Sequence, residues 1–151
     1  MLFALLIGSL TTLANLAIQV TVIVLILGQV RKHLIDSPKI AEIRRDITIL
    51  CIILMGLFAG HLLQFSTWAI LFMWLGEFTD FNTAFYHSAV NFAALGYGDI
   101  VMSEKWRLLG ALEACNGVLM LGLSAGTFLA VIYHLLVRHP VLAEVEDKLS
   151  S

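Results

Sequence analysis

Two long stretches of the chain carry almost no charge, and this feature limits the possible folds more than any other. Residues 1–29 contain no charged side chain, and residues 47–76 contain only the titratable His61. A helix of roughly 20 apolar residues crosses a hydrocarbon core about 30 Å thick. The composition, 60% hydrophobic and 13% charged, is too apolar for an ordinary soluble domain. The sequence therefore predicts an integral membrane protein.

Hydropathy and charge together predict three membrane-spanning helices. The first runs from about Leu2 to Val30, the second from about Ile47 to Leu75, and the third from about Trp106 to Val137. Residues 31–46, with five basic and three acidic side chains, separate the first two helices. Pro38 within that segment prevents one unbroken helix.

The apolar segment Phe81–Leu95, between the second and third helices, is too short to cross a bilayer and too hydrophobic for a surface loop. Asp80 or Asn82 can cap a short helix there, and Gly96 and Gly98 oppose its continuation. Non-helical backbone at membrane depth must be covered by protein or line a water-filled cavity. We therefore predict a re-entrant helix followed by a loop.

Basic residues lie mainly on one predicted side of the membrane. Residues 31–46 carry five and residues 138–151 carry two, whereas Lys105 and Arg107 are the two on the side of the re-entrant segment. The positive-inside rule then places the N-terminus outside and the C-terminus in the cytoplasm.

The loop after the re-entrant helix reads Ala94-Leu95-Gly96-Tyr97-Gly98-Asp99. A filter for a monovalent cation replaces the hydration shell of the ion with stacked backbone carbonyls. Successive carbonyls can point the same way only where alternate residues accept unusual dihedral angles, and glycine accepts them most readily. The Tyr97 side chain can pack outward against aromatic neighbours such as Tyr86. One chain supplies one strand, so a closed ring requires several subunits.

The hexapeptide at 94–99, after a short amphipathic helix and before a helix led by Trp106, resembles the signature of tetrameric potassium channels. The stretch 106–113 is also similar to the inner helix of small bacterial two-helix channels, and the resemblance covers about residues 47–137. It implies an all-α membrane protein with three transmembrane helices plus a re-entrant pore helix and filter loop per subunit. It further implies a homotetramer in the bacterial inner membrane.

The resemblance also implies passive conduction of K⁺, bound by the backbone carbonyls of Ala94, Leu95, Gly96 and Tyr97. The expected partners are identical subunits, membrane lipid and monovalent cations, with no cofactor apart from the permeating ion. The chain then divides into an additional N-terminal helix at 1–30, a cytoplasmic linker at 31–46, a pore domain at 47–137 and a cytoplasmic tail at 138–151.

The loop departs from the family pattern at its inner end. Ala94 stands where that pattern has a threonine whose hydroxyl completes the innermost ion site, and Leu95 replaces the usual valine. A methyl group cannot coordinate an ion. Three interpretations therefore stay open: a potassium-selective channel, a weakly selective monovalent cation channel, and a non-conducting membrane module on the same scaffold.

One face of the third helix presents small and apolar residues at steps of three and four. The residues predicted to line the pore or form its gate are Leu119, Gly122, Gly126, Ala130 and His134. The same spacing would also allow close helix packing. Gly117 and Gly122 are both candidates for a gating hinge. His134 is either a pH sensor at the cytoplasmic end or an interfacial residue.

His61 and Glu113 are ionisable groups inside predicted spans, where such residues need a partner or contact with water. We expect His61 to be a hydrogen-bonded packing residue. Glu113 is predicted to support the pore helix through Asn91 or Tyr86. No nucleophile-base pair or metal-ligand cluster indicates an enzyme, and no basic patch indicates nucleic acid.

Overall fold

The computed structural model describes residues 1–35 and 42–137 as four α-helices in chain order. They are α1 (Leu2–Ile35), α2 (Glu42–Trp74), α3 (Phe81–Phe92) and α4 (Arg107–Val137). Within these ranges all regular elements are helical, which confirms the predicted all-α fold class. The predicted tail at 138–151 and the centre of the predicted linker, including Pro38, lie outside the described residues.

Three of the helices are long and apolar enough to cross a membrane. The candidate spans in the described ranges are Leu2–Val30, Arg44–Trp74 and Arg107–Leu136. They agree with the three predicted spans, although α1 continues to Ile35 and α2 begins already at Glu42. Charged residues can extend a helix beyond the bilayer, so the helix ends exceed the ends of the apolar runs.

The short helix α3 has 12 residues and begins after Asp80, one of the two caps that the sequence allows. Asp80 is the N-cap, and its carboxylate accepts hydrogen bonds from the backbone N–H of Thr83 at 2.9 Å and from the Thr83 hydroxyl at 3.0 Å. These bonds lower the pKa of the Asp80 carboxyl, which therefore stays ionised at the helix N-terminus.

The chain buries two apolar clusters, and α1 contributes to both. One cluster lies at the level of α3 and contains Ala4, Trp68, Phe72, Phe92, Trp106, Leu109 and Met120. The other cluster lies toward the opposite end of the helices and contains Ile26, Val30, Ile49, Ile53, Leu57, Val131 and Leu135. The first helix therefore packs along the length of α2 and α4 as an integral part of the subunit.

Candidate functional site

The loop 94–99 has an alternating backbone. Ala94, Gly96 and Gly98 have φ angles of 54°, 58° and 73°, so every second residue lies in the left-handed region. A Cβ added at either glycine would meet no atom within 4 Å. The backbone conformation, and not a lack of space within the subunit, is therefore the reason for glycine at these positions.

The alternation begins at the end of α3. The N–H of Leu95 donates to the carbonyl of Val90 at 3.0 Å, and the N–H of Ala94 donates to the carbonyl of Asn91 at 2.8 Å. This pair of bonds is a Schellman motif, in which Ala94 occupies the left-handed position that glycine usually takes. The helix thus ends before Gly96, because its last turn is closed by Ala94 and Leu95.

The loop is uncovered in a single chain. All six residues from 94 to 99 are exposed, and the side chains of Leu95 and Tyr97 are 53% and 66% exposed. In the part of the chain that the structure describes, no group of His, Cys, Asp or Glu side chains is placed to hold a metal ion. The carbonyl oxygens of the loop are therefore the candidate ligands for a cation.

The C-terminal end of the loop is attached to α3 by a side-chain hydrogen bond. The Tyr86 hydroxyl donates to the carboxylate of Asp99 at 2.8 Å. This bond lowers the pKa of Asp99 and raises the pKa of Tyr86. Both groups therefore keep the bonded protonation states around neutral pH. In the part of the chain that the structure describes, Tyr86 bonds Asp99 and makes no aromatic ring contact with Tyr97.

A second attachment uses His87, which the sequence analysis did not single out. Its Nδ1 lies 3.1 Å from the carbonyl oxygen of Ile100, and its Nε2 lies 2.9 Å from Nδ2 of Asn91. The carbonyl can only accept, so Nδ1 carries the proton and Nε2 accepts from Asn91. Burial lowers the pKa of His87, which favours this neutral form.

Glu77 makes a third attachment in the same region, between the segment after α2 and the segment before α4. Its carboxylate accepts hydrogen bonds from the backbone N–H of Ser103 at 2.8 Å and from the Ser103 hydroxyl at 2.6 Å. The segment after α2 is thereby joined to the segment before α4. Asp99, Ile100 and Ser103 all follow the helix α3. Each of them is hydrogen-bonded to a residue that precedes the loop.

Glu113 is fully buried and contacts α3 through Ser88. The Ser88 hydroxyl lies 2.5 Å from Oε1 of Glu113 and 2.9 Å from the carbonyl oxygen of Phe65. Tyr86 bonds Asp99, the amide nitrogen of Asn91 bonds His87, and Oε2 of Glu113 has no hydrogen-bond partner among the described residues. The hydrogen-bond partner of Glu113 on α3 is Ser88, which lies one turn before Phe92 and was not considered from the sequence.

The hydrogen count around Ser88 assigns a proton to Glu113. Ser88 has one hydroxyl proton, and the Phe65 carbonyl can only accept. Both short contacts are hydrogen bonds only if Ser88 donates to Phe65 while a protonated Glu113 carboxyl donates to Ser88. A neutral carboxyl also avoids the high free energy of a charge buried among membrane-spanning helices.

The two glycines considered as hinges have different surroundings. A Cβ at Gly117 would lie 1.9 Å from the carbonyl oxygen of Phe92, whereas a Cβ at Gly122 would meet nothing within 4 Å. Gly117 therefore lets α4 approach the backbone at the end of α3. Gly122 has no such packing function within the subunit.

The predicted pore-facing residues share one uncovered face of α4. Leu119 is 63% exposed, and the other four residues of the set are also exposed: Gly122, Gly126, Ala130 and His134. Within residues 1–35 and 42–137, no other helix of the chain covers this face. Either water or another subunit can cover this face, so both pore lining and close helix packing stay open.

His61 is buried and is hydrogen-bonded through both ring nitrogens. Its Nδ1 lies 3.2 Å from Oε1 of Gln64, and its Nε2 lies 3.1 Å from Oγ of Ser124. These contacts match the expectation of a hydrogen-bonded packing histidine. The sequence analysis did not identify the partners.

Comparison with known proteins gives one family match. A family model described as an ion channel matches residues 47–134, which include most of α2, all of α3, the loop 94–99 and most of α4. No curated protein and no solved structure matches the chain significantly.

Proposed function

The chain belongs to the ion-channel family, and we propose that it conducts K⁺ passively through a selectivity filter formed by the backbone of residues 94–99. The observation that carries this proposal is the left-handed backbone at Ala94, Gly96 and Gly98. Alternation of this kind allows successive carbonyls to face one side, as a ladder of cation ligands requires. The carbonyls of Ala94 to Tyr97 are the proposed K⁺ ligands.

A homotetramer would complete this filter. One chain contributes one strand of carbonyls, and a ring that encloses an ion needs several strands. The loop is exposed in the subunit, and so is the face of α4 that carries Gly122 and Gly126. We assign that face to the pore and to the contacts between subunits around it.

The protein is integral to the membrane, and the proposed orientation follows from its charges. Basic residues of 31–46 and 138–151 would lie in the cytoplasm. The filter entrance would then face outside, where Glu77, Asp80 and Asp99 raise the local concentration of cations. A bacterial inner membrane is the proposed location.

A weakly selective cation channel is the second candidate, and the identity of residue 94 favours it. Alanine offers a carbonyl oxygen but no hydroxyl, so the innermost ion site has fewer oxygen ligands than the resemblance implies. Selectivity depends on several sites in series. We propose that the sites formed by residues 95–97 retain the preference for K⁺.

Ion flux into liposomes tests whether the loop conducts. Gly98→Ala places a Cβ at φ 73°, where an L-residue is strained by about 1–2 kcal/mol. Gly76→Ala is the matched control, because Gly76 has φ 79°, lies outside the loop and likewise has nothing within 4 Å of an added Cβ. We expect K⁺ flux to be abolished or strongly reduced in the first variant and retained in the second.

The comparison separates conduction through the loop from general loss of stability. Equal flux in Gly98→Ala and Gly76→Ala, at equal protein incorporation, would contradict the proposed filter. Absence of K⁺ flux in the unsubstituted protein over a range of voltage and pH would favour the non-conducting module.

A further inference from the structure

Four buried polar side chains on three membrane-spanning helices form a closed ring. Nε2 of Gln19 donates to Oγ of Ser124 at 2.7 Å, and Nε2 of Gln64 donates to Oε1 of Gln19 at 2.8 Å. His61 closes the ring, with Gln64 3.2 Å from Nδ1 and Ser124 3.1 Å from Nε2. All four residues are at most 7% exposed.

The ring has a direction, and the backbone of α1 determines it. Nε2 of Gln64 also lies 3.3 Å from the carbonyl oxygen of Asn15, so the amide nitrogen, and not the amide oxygen, must face α1. Oε1 of Gln64 then faces His61 and can only accept. The Asn15 carbonyl thus excludes the reverse arrangement, in which both amides are flipped.

This direction fixes the tautomer of His61. Nδ1 must carry the proton that is donated to Gln64, which leaves Nε2 of the neutral imidazole as an acceptor. Ser124 accepts from Gln19, so its single proton is available for Nε2 of His61. Each of the four side chains therefore donates to the next one and accepts from the previous one.

The ring contacts α4 on the side opposite its uncovered face. Ser124 lies two residues from both Gly122 and Gly126, a rotation of roughly 200° on an α-helix. Ser124 is 7% exposed, whereas both glycines are exposed and would meet nothing within 4 Å of an added Cβ. The segment of α4 that contains Gly122 and Gly126 is therefore attached to α1 and α2 on its opposite side, through Ser124.

We propose that this ring is a positioning device for the gate, in which Gln19, His61 and Gln64 hold Ser124 and so keep the inner helix away from the pore axis. The proposal rests on the proposed function, because it takes the face with Gly122 and Gly126 to be the pore face. It gives α1 a role: the additional helix supplies Gln19 and the Asn15 carbonyl that orient the ring.

Single-channel recording of Ser124→Ala tests the positioning role. The variant removes two hydrogen bonds of the ring, and bonds between membrane helices of this kind predict a fall of about five- to tenfold in the ratio of open to closed time. Selectivity and single-channel conductance should not change, since Ser124 does not contact the filter. Ser66→Ala is the matched control: its hydroxyl bonds the carbonyl of Leu62 in its own helix, outside the ring.

Nuclear magnetic resonance of the imidazole nitrogens tests the ring without any need for current. We expect His61 to be neutral with the proton on Nδ1, and Ser124→Ala to change the Nε2 signal while Ser66→Ala leaves it unchanged. A proton on Nε2 of a neutral His61 would overturn the direction of the ring.

The two measurements distinguish the possible failures. Equal open-to-closed ratios in Ser124→Ala and Ser66→Ala would overturn the positioning role, even with the expected tautomer. Absence of current in the unsubstituted protein would overturn the proposed function and the gating role together. The nuclear magnetic resonance measurement of the His61 tautomer would then still test the direction of the ring.

Discussion

Ala94→Gly should stabilise the protein, although most substitutions in the proposed filter would be expected to impair it. Ala94 has φ 54° as the left-handed residue of a Schellman motif at the end of α3. The end of α2 has the same pair of bonds, from Gly76 to Met73 and from Glu77 to Phe72, with Gly76 at φ 79°. The chain thus uses glycine at one of these two positions and alanine at the other.

The expected magnitude follows from two opposing terms. A Cβ in the left-handed region costs about 1–2 kcal/mol, which glycine would remove. Glycine adds conformational entropy to the unfolded chain, which offsets about 0.5–1 kcal/mol of that gain. The difference of these terms is a stabilisation of about 0–1.5 kcal/mol per subunit, with a midpoint of about 0.75 kcal/mol.

Ala93→Gly is the matched control, because Ala93 has φ −78° and therefore no left-handed strain to relieve. It should destabilise the protein by about 0.5–1 kcal/mol through unfolded-state entropy alone. The assay is the thermal unfolding midpoint of the protein in detergent, followed by circular dichroism. A loss of stability in Ala94→Gly equal to that in Ala93→Gly would refute the reasoning.

Three further predictions concern the supports of the loop. Tyr86→Phe removes the hydrogen bond that lowers the pKa of Asp99, so the pKa of Asp99 should rise. Because the carboxylate is lost below this pKa, acid inhibition of K⁺ current should begin at a higher pH than in the unsubstituted protein. Glu113→Gln keeps a donor for the hydroxyl oxygen of Ser88 and should retain folding, whereas Glu113→Leu leaves that buried oxygen without its donor and should lower the unfolding free energy by about 1–3 kcal/mol. Gly117→Ala would drive a Cβ into the carbonyl at the end of α3 and should lower the unfolding midpoint more than Gly122→Ala; equal midpoints would contradict this contact.

The spans could be predicted from the sequence because charge is excluded from the hydrocarbon core over long distances. The start of α3 could be predicted to within two residues, because both Asp80 and Asn82 are of the types that cap helices; the sequence did not choose between them, and the structure has Asp80. The exact end of α3 could not, since alanine gives no sequence signal of a left-handed residue. The glycines at 96 and 98 indicated the loop, but the helix ends before them, at Phe92, where the Schellman motif of Ala94 and Leu95 closes its last turn.

The side-chain partners were harder to predict than the elements. His61 stood out as an ionisable residue in an apolar span, but its partners on other helices depend on helix register, which hydropathy does not determine. A signal was present: Asn15 and Gln19 are four residues apart, and Gln64 follows His61 by three. Polar side chains at these spacings share one helix face, and in a membrane they need polar partners.

The reversal potential in planar bilayers, with K⁺ on one side and Na⁺ on the other, tests the central claim most directly. The proposed filter at residues 94–99 predicts a large reversal potential, with the K⁺ side negative, even though Ala94 lacks a hydroxyl. A reversal potential near zero would contradict potassium selectivity and favour a weakly selective cation channel.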